Sequence, residues 1–80
     1  MKIPAIKKLV ETYDINQLIQ AEEAIVEEQP LAIEVDGDDE GEQLTHVLAA
    51  VWILNHIDDT GADFKTALRE YTKKVRVSIS

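Results

Sequence analysis

The sequence predicts a mainly α-helical fold of four helices with one short β-strand between helices 2 and 3, residues 1–80 forming a single domain. Three observations carry this prediction. Residues 42–57, EQLTHVLAAVWILNHI, hold Leu44, Val47, Leu48, Val51, Trp52 and Leu54 within eleven residues. At about 100° per residue these six share one broad helical face, while His46, Ala50, Ile53 and Ile57 share a narrower strip on the far side. The segments on either side of this stretch repeat their apolar residues at helical spacing, and only LAIEV, residues 31–35, alternates as a strand does.

The elements follow in chain order. Ile3, Ile6, Leu9, Val10 and Tyr13 predict a first helix over residues 3–13, with Pro4 tolerated in its first turn. Asp14 with Gln17 three residues later has the form of a capping box. It opens a second helix through Ile15, Leu18, Ile19, Ala21, Ile25 and Val26 that runs to Glu28. Glu27 and Glu28 fall in the last turn, where the helix dipole favours cations, which points to a basic neighbour such as the last helix. Pro30 stops helix 2, and Leu31, Ile33 and Val35 then line one side of the short strand. A lone strand needs a partner for its backbone groups, either residues 75–79 or the same strand of a second copy. The copy is preferred, because Phe64, Ala67, Leu68, Tyr71, Val75 and Ile79 form an unbroken helical stripe in the last segment. Asp58 to Gly61 ends the central helix, and Asp63 caps the fourth.

Composition narrows the function. The 80 residues carry a net charge of −8 and no cysteine. That charge argues against nucleic acid, whose binding rests on Lys and Arg releasing counterions. The lack of cysteine removes disulfides, thiol nucleophiles and cysteine-ligated metal centres. No long apolar run follows the opening MKIPAIKK, so neither a secretory signal nor a membrane span is expected, and a cytoplasmic protein is. A domain this small buries only roughly 60% of its unfolded surface, so association with a second copy would add stability. Eleven acidic residues and no basic one lie between Asp14 and Glu42, while both ends of the chain are basic. Such a chain can satisfy its charges within one molecule or between two, and its acidic middle also suits a basic protein partner. On the last helix Lys65, Arg69, Lys73 and Arg76 form a cationic ridge opposite the apolar stripe.

Only DGDDEG, residues 36–41, resembles a ligand motif. Asp36, Asp38 and Glu40 take the first, third and fifth positions of a calcium loop, and Gly41 takes the sixth. Position twelve, where a bidentate Glu is needed, is Val47, so these carboxylates serve equally to end the strand and face the positive end of the next helix. His46 and His56 are ten residues apart and do not make a two-ligand step, and Glu42 with His46 is half a metal site at most. Protonation of His46 near the usual histidine value of about 6.5 would weaken the narrow strip if that strip were an interface. No nucleophilic elbow, phosphate loop or converging carboxylate pair is present, so no catalytic residue and no cofactor is expected. The interface candidates are therefore the strand residues Leu31, Ile33 and Val35 with the strip His46, Ala50, Ile53 and Ile57. The expected function is a non-catalytic acidic interaction or regulatory protein acting as a homodimer. Its alternatives are weak metal or small-ligand binding at the acidic loop 36–42, and docking of a basic partner on the acidic middle.

MKIPAIKKLVE at the start, EEQPLAIEVDGDDEGEQLTHVLAAVWIL in the middle and FKTALREYTKKVR near the end together resemble a family of short bacterial proteins, a domain of unknown function. The resemblance covers nearly the whole chain. It implies a bacterial cytoplasmic origin and carries no functional residue over.

Overall fold

The computed structural model describes residues 2–79, with side chains as far as residue 75. Four helices follow one another: α1 (Ile3–Thr12), α2 (Ile15–Val26), α3 (Glu40–Thr60) and α4 (Phe64–Ile79). Their ends are set by local chemistry. Asp14 Oδ1 accepts from Gln17 N at 2.8 Å while Gln17 Oε1 accepts from Asp14 N at 3.0 Å, closing the capping box that opens α2. Asp39 accepts from Glu42 N at 2.7 Å to open α3, and Asp63 accepts from Thr66 N at 2.8 Å to open α4. Gly61, at φ 73°, ends α3 in the left-handed region.

At the end of α2 the left-handed residue is not glycine but Glu28, at φ 57°. Gln29 N reaches back to Ala24 O at 2.7 Å and Glu28 N to Ile25 O at 3.2 Å, the paired bonds of a Schellman ending. Glu27 and Glu28 thus sit at and beyond the helix end. Among the described residues no ion pair joins them to α4, and α2 and α4 each pack chiefly on α3.

All three other helices lie on α3. Lys2 at the start of α1 meets His46 near the start of α3, and Ile15 just past the end of α1 lies beside Leu54 and Asp58 near the end of α3, so α1 runs parallel to it. Ile15 shares a groove with Leu54 and Asp58, and Ile25 shares another with Glu40 and Gln43, so α2 runs antiparallel. Trp52 meets Tyr71 at 5.6 Å, and the short turn at Gly61 makes α4 antiparallel too. The helical wheels agree with α2, α3 and α4 forming one layer and α1 with residues 31–36 lying beneath it. The principal extents of 32 × 29 × 19 Å fit two layers, since a helix with its side chains is about 10 Å across.

Two expectations are corrected. No strand forms among the described residues. The alternation of Leu31, Ile33 and Val35 is real, since Val35 is buried and the other two pack against the same core. The backbone bonds a neighbouring strand would make are supplied by side chains instead: Tyr13 Oη accepts from Glu34 N at 3.2 Å, and Gln43 Nε2 donates to Val35 O at 3.1 Å. The second correction concerns α3. His46, Ala50 and Ile53, expected at an interface with Ile57, are fully buried within the chain. Ile57 is partly buried against the same core. Ala49 and Ala50 are the reason, because small side chains let neighbouring helices approach closely there. The broad face of large residues is instead the more open one, with Leu48 40% exposed and Val47 alone of its six members fully buried.

Candidate functional site

His46 is the most constrained polar group among the described residues. Its Nε2 lies 2.9 Å from the Lys2 amide nitrogen and its Nδ1 lies 2.7 Å from the Asp36 carbonyl oxygen. An amide N–H only donates and a carbonyl only accepts, so the ring carries its proton on Nδ1 and a lone pair on Nε2. It is the neutral tautomer, with both nitrogens committed. The side chain therefore ties the entry to α1 to the loop before α3, and neither nitrogen is left for a metal or for proton transfer to a substrate.

The acidic loop is matched by lysines of the same chain. Lys2 Nζ stands 3.8 Å from Asp38 and 3.9 Å from Glu42, and Lys8 Nζ stands 3.6 Å from Glu34 and 3.9 Å from Asp36. These pairs are exposed and long, so each contributes about 0–1 kcal/mol at most. Glu40, the third calcium candidate, belongs to the first turn of α3. Asp36, Asp38 and Glu40 are not brought together. No group of three or more His, Asp or Glu side chains that could hold a metal ion is present among the described residues.

Among the described residues two groups titrate away from their ordinary values. The Asp63 carboxyl is lowered below 3.8, first by the Thr66 backbone N–H it accepts from, then by the Thr66 side chain; desolvation opposes this, and Lys65 and Arg69 add lesser contributions. Burial pushes the Tyr71 hydroxyl above 10.0. Asp63 caps a helix and Tyr71 packs on Trp52, so each shift accompanies a structural role.

The feature that remains is a surface. Among the described residues four large apolar side chains are exposed: Ile3, Ile19, Val26 and Leu48. Three of them lie on one side of the molecule. Ile15, Ile19, Glu22 and Val26 recur at spacings of four, three and four along α2, about 90° from the buried line of Leu18, Ala21 and Ile25. Leu44, Leu48, Val51 and Asn55 recur at the same spacing along α3, on the side away from His46 and Ile53. The two stripes border a common groove, which opens at one end into a hollow of about 290 Å³ lined by Asp14, Ile15, Leu54, Asn55 and Asp58. On the other edge Trp52 stacks on His56 with ring centroids 4.8 Å apart, and Lys74 Nζ lies 5.6 Å from the Trp52 ring. Asn55 is exposed on this face.

The sequence marks two apolar sides of α3, and the narrow one, named there as an interface candidate, is the buried one while the broad one is the more open. The α2 stripe adds to this open side: its outward apolar residues repeat beside the broad face of α3 and have no role in the core. No helix among the described residues is long and apolar enough to cross a membrane. The sequence model of a family of unknown function (DUF6952) matches residues 1–80. No curated protein matches the chain, and no solved structure does.

Proposed function

Because the chain belongs to this family of unknown function over residues 1–80, its role has to come from its own surface, and we propose that it is a non-catalytic acidic interaction protein that works as a homodimer. The docking surface is the open face of the α2–α3–α4 layer, not the strand-like segment or the buried strip of α3. One observation carries this reading: Ile19, Val26 and Leu48, three of the four exposed large apolar side chains described, share that face with the half-buried Leu44, Val51 and Trp52. Contiguous apolar surface of this kind marks an interaction site.

The test is the solution mass by light scattering coupled to size exclusion over a concentration series. A dimer is expected for the natural chain, and a helical monomer for Leu48→Glu, which places a charge at the centre of the face. A natural chain that stays monomeric at every concentration, or a Leu48→Glu variant that dimerises as well as the natural chain, would overturn the reading.

A second reading has its own observation. Glu22 and Glu23 of α2, and Glu27 and Glu28 just past its end, make no ion pair within 4 Å among the described residues, whereas Glu34, Asp36, Asp38 and Glu42 do. A basic protein partner would therefore dock along α2, and not on the loop. Its binding would weaken steeply with salt, because exposed charges are screened beyond about 8 Å at physiological ionic strength.

A further inference from the structure

The proposed dimer leaves open how two copies face one another, and the residues on the open face decide it. Along α3, Leu44 and Val51 are seven residues apart, and so are Leu48 and Asn55. Taken together they step by four, three and four, the a and d spacing of a two-stranded helical seam. On this pattern Leu48 and Asn55 occupy a positions. A single Asn at an a position in a parallel pair fixes register and selects two strands.

Charge gives an independent indication. Ile15 is level with Leu54 and Asp58, with which it lines one hollow. Seven residues, or about 10 Å, further along antiparallel α2, Glu22 is level with residues 47–51 of α3. On the opposite edge of the face Lys74 reaches over Trp52, at nearly the same level. Glu22 and Lys74 thus flank the α3 seam from its two sides. A two-fold axis parallel to α3 keeps levels and exchanges sides, so Glu22 meets the partner's Lys74, and the pair occurs twice. A two-fold axis crossing α3 within the face instead sets α2 on α2, and lays the Glu22 edge of one copy along the same edge of the other.

We infer, on the dimer reading above, that two copies pack face to face about a two-fold axis parallel to α3, with Leu44, Leu48, Val51 and Asn55 forming the seam and Glu22 pairing with the partner's Lys74. The α3 helices run parallel in this arrangement. Each Asn55 amide meets its own copy on the axis, where the two can donate to and accept from each other. The outward stripe of α2 covers the partner's Trp52 edge.

The chain has no cysteine, so single-cysteine variants report on this geometry without background. The experiment is oxidative cross-linking of Asn55→Cys and Leu48→Cys, together with the dimer dissociation constant of Glu22→Lys, Lys74→Glu and the double variant. Asn55→Cys and Leu48→Cys should each link to their own kind, because paired a positions on the axis come within the Cα separation of about 4.4–6.8 Å that a disulfide needs. Glu22→Lys alone should raise the dissociation constant roughly tenfold, since two symmetric attractions become repulsions, and Lys74→Glu should restore binding in the double variant. If Asn55→Cys links only when mixed with Leu44→Cys, or if the double variant binds no better than Glu22→Lys, the parallel arrangement is wrong while the dimer stands. A natural chain that remains monomeric in light scattering removes the dimer reading and this arrangement together.

Discussion

Replacing His46 with phenylalanine keeps most of the ring volume and removes both hydrogen bonds. What it takes away can be worked from the structure. The Lys2 N–H and the Asp36 carbonyl, now 2.9 and 2.7 Å from the ring nitrogens, lose their protein partner. A hydrogen bond contributes about 1 kcal/mol net, and a stranded buried partner costs about 1–3 kcal/mol. Both residues are otherwise exposed, so water recovers part of the loss, and the expected destabilisation is about 2–4 kcal/mol. A domain of this length has roughly 4–12 kcal/mol in total. At about 4–8 °C per kcal/mol the melting temperature should fall by about 8–32 °C. The assay is thermal and urea unfolding of both proteins by circular dichroism at neutral pH and one fixed protein concentration, because a dimer's apparent stability depends on concentration. Amide exchange adds a local readout, with the Lys2 amide and residues 36–39 losing protection before the centre of α3 does. A His46→Phe variant that melts within about 3 °C of the natural chain would show that the ring is merely a space-filler.

Other substitutions test separate parts of the account. A Cβ added at Gly37 would lie 2.7 Å from Gln43 Cγ and 2.8 Å from the Gln43 backbone nitrogen. Gly37→Ala should therefore destabilise by about 1–3 kcal/mol in urea unfolding, as overpacking does, and an unchanged midpoint would mean that the loop can move aside. Glu28→Gly should stabilise by about 0.5–1 kcal/mol, because glycine adopts the left-handed region without a Cβ penalty, and a loss of stability would contradict the Schellman ending. The raised Tyr71 hydroxyl contributes stability that is present below its ordinary value of 10.0 and lost as the pH rises through the higher folded value. Melting followed above about pH 9 should thus fall more steeply for the natural chain than for Tyr71→Phe. The lowered Asp63 carboxyl works in the opposite direction: its contribution is present above 3.8 and lost as the pH falls through the folded value, so Asp63→Asn should flatten the acid limb of the melting profile.

Local chemistry was legible in the sequence and long-range coverage was not. Asp14 with Gln17 and Asp63 with Thr66 cap the helices they were expected to cap, because a cap needs only neighbours three residues away. The start of α3 was placed at Glu42 and lies at Glu40, since Asp39 is one carboxylate among several and only geometry shows which one accepts the Glu42 N–H. Its end was placed at Ile57 and lies at Thr60, because Asp58, Asp59 and Thr60 have turn chemistry yet continue as helix until Gly61 supplies the left-handed residue. The last segment is helix, as its apolar stripe predicts, and the side chains of Arg76 and Ile79 lie outside the described residues. Which side of α3 is buried is set by Ala49 and Ala50, whose small side chains let neighbouring helices approach, and the size of the apolar residues alone does not show it. His46 could not be placed from sequence, since its partners lie 44 and 10 residues away.

The segment Leu31–Val35 has a wider consequence. Five residues of alternating apolar character, with only one charge, would in extended form present an edge able to recruit further chains without limit. Here Tyr13 and Gln43 hold backbone groups that such growth would use, and Leu31, Ile33 and Val35 turn inward. Two side chains thus occupy backbone groups that fibre growth would need. Weakening them, by Tyr13→Phe with Gln43→Ala, should expose the segment's liability as slow, seedable aggregation of a chain that still contains all four helices.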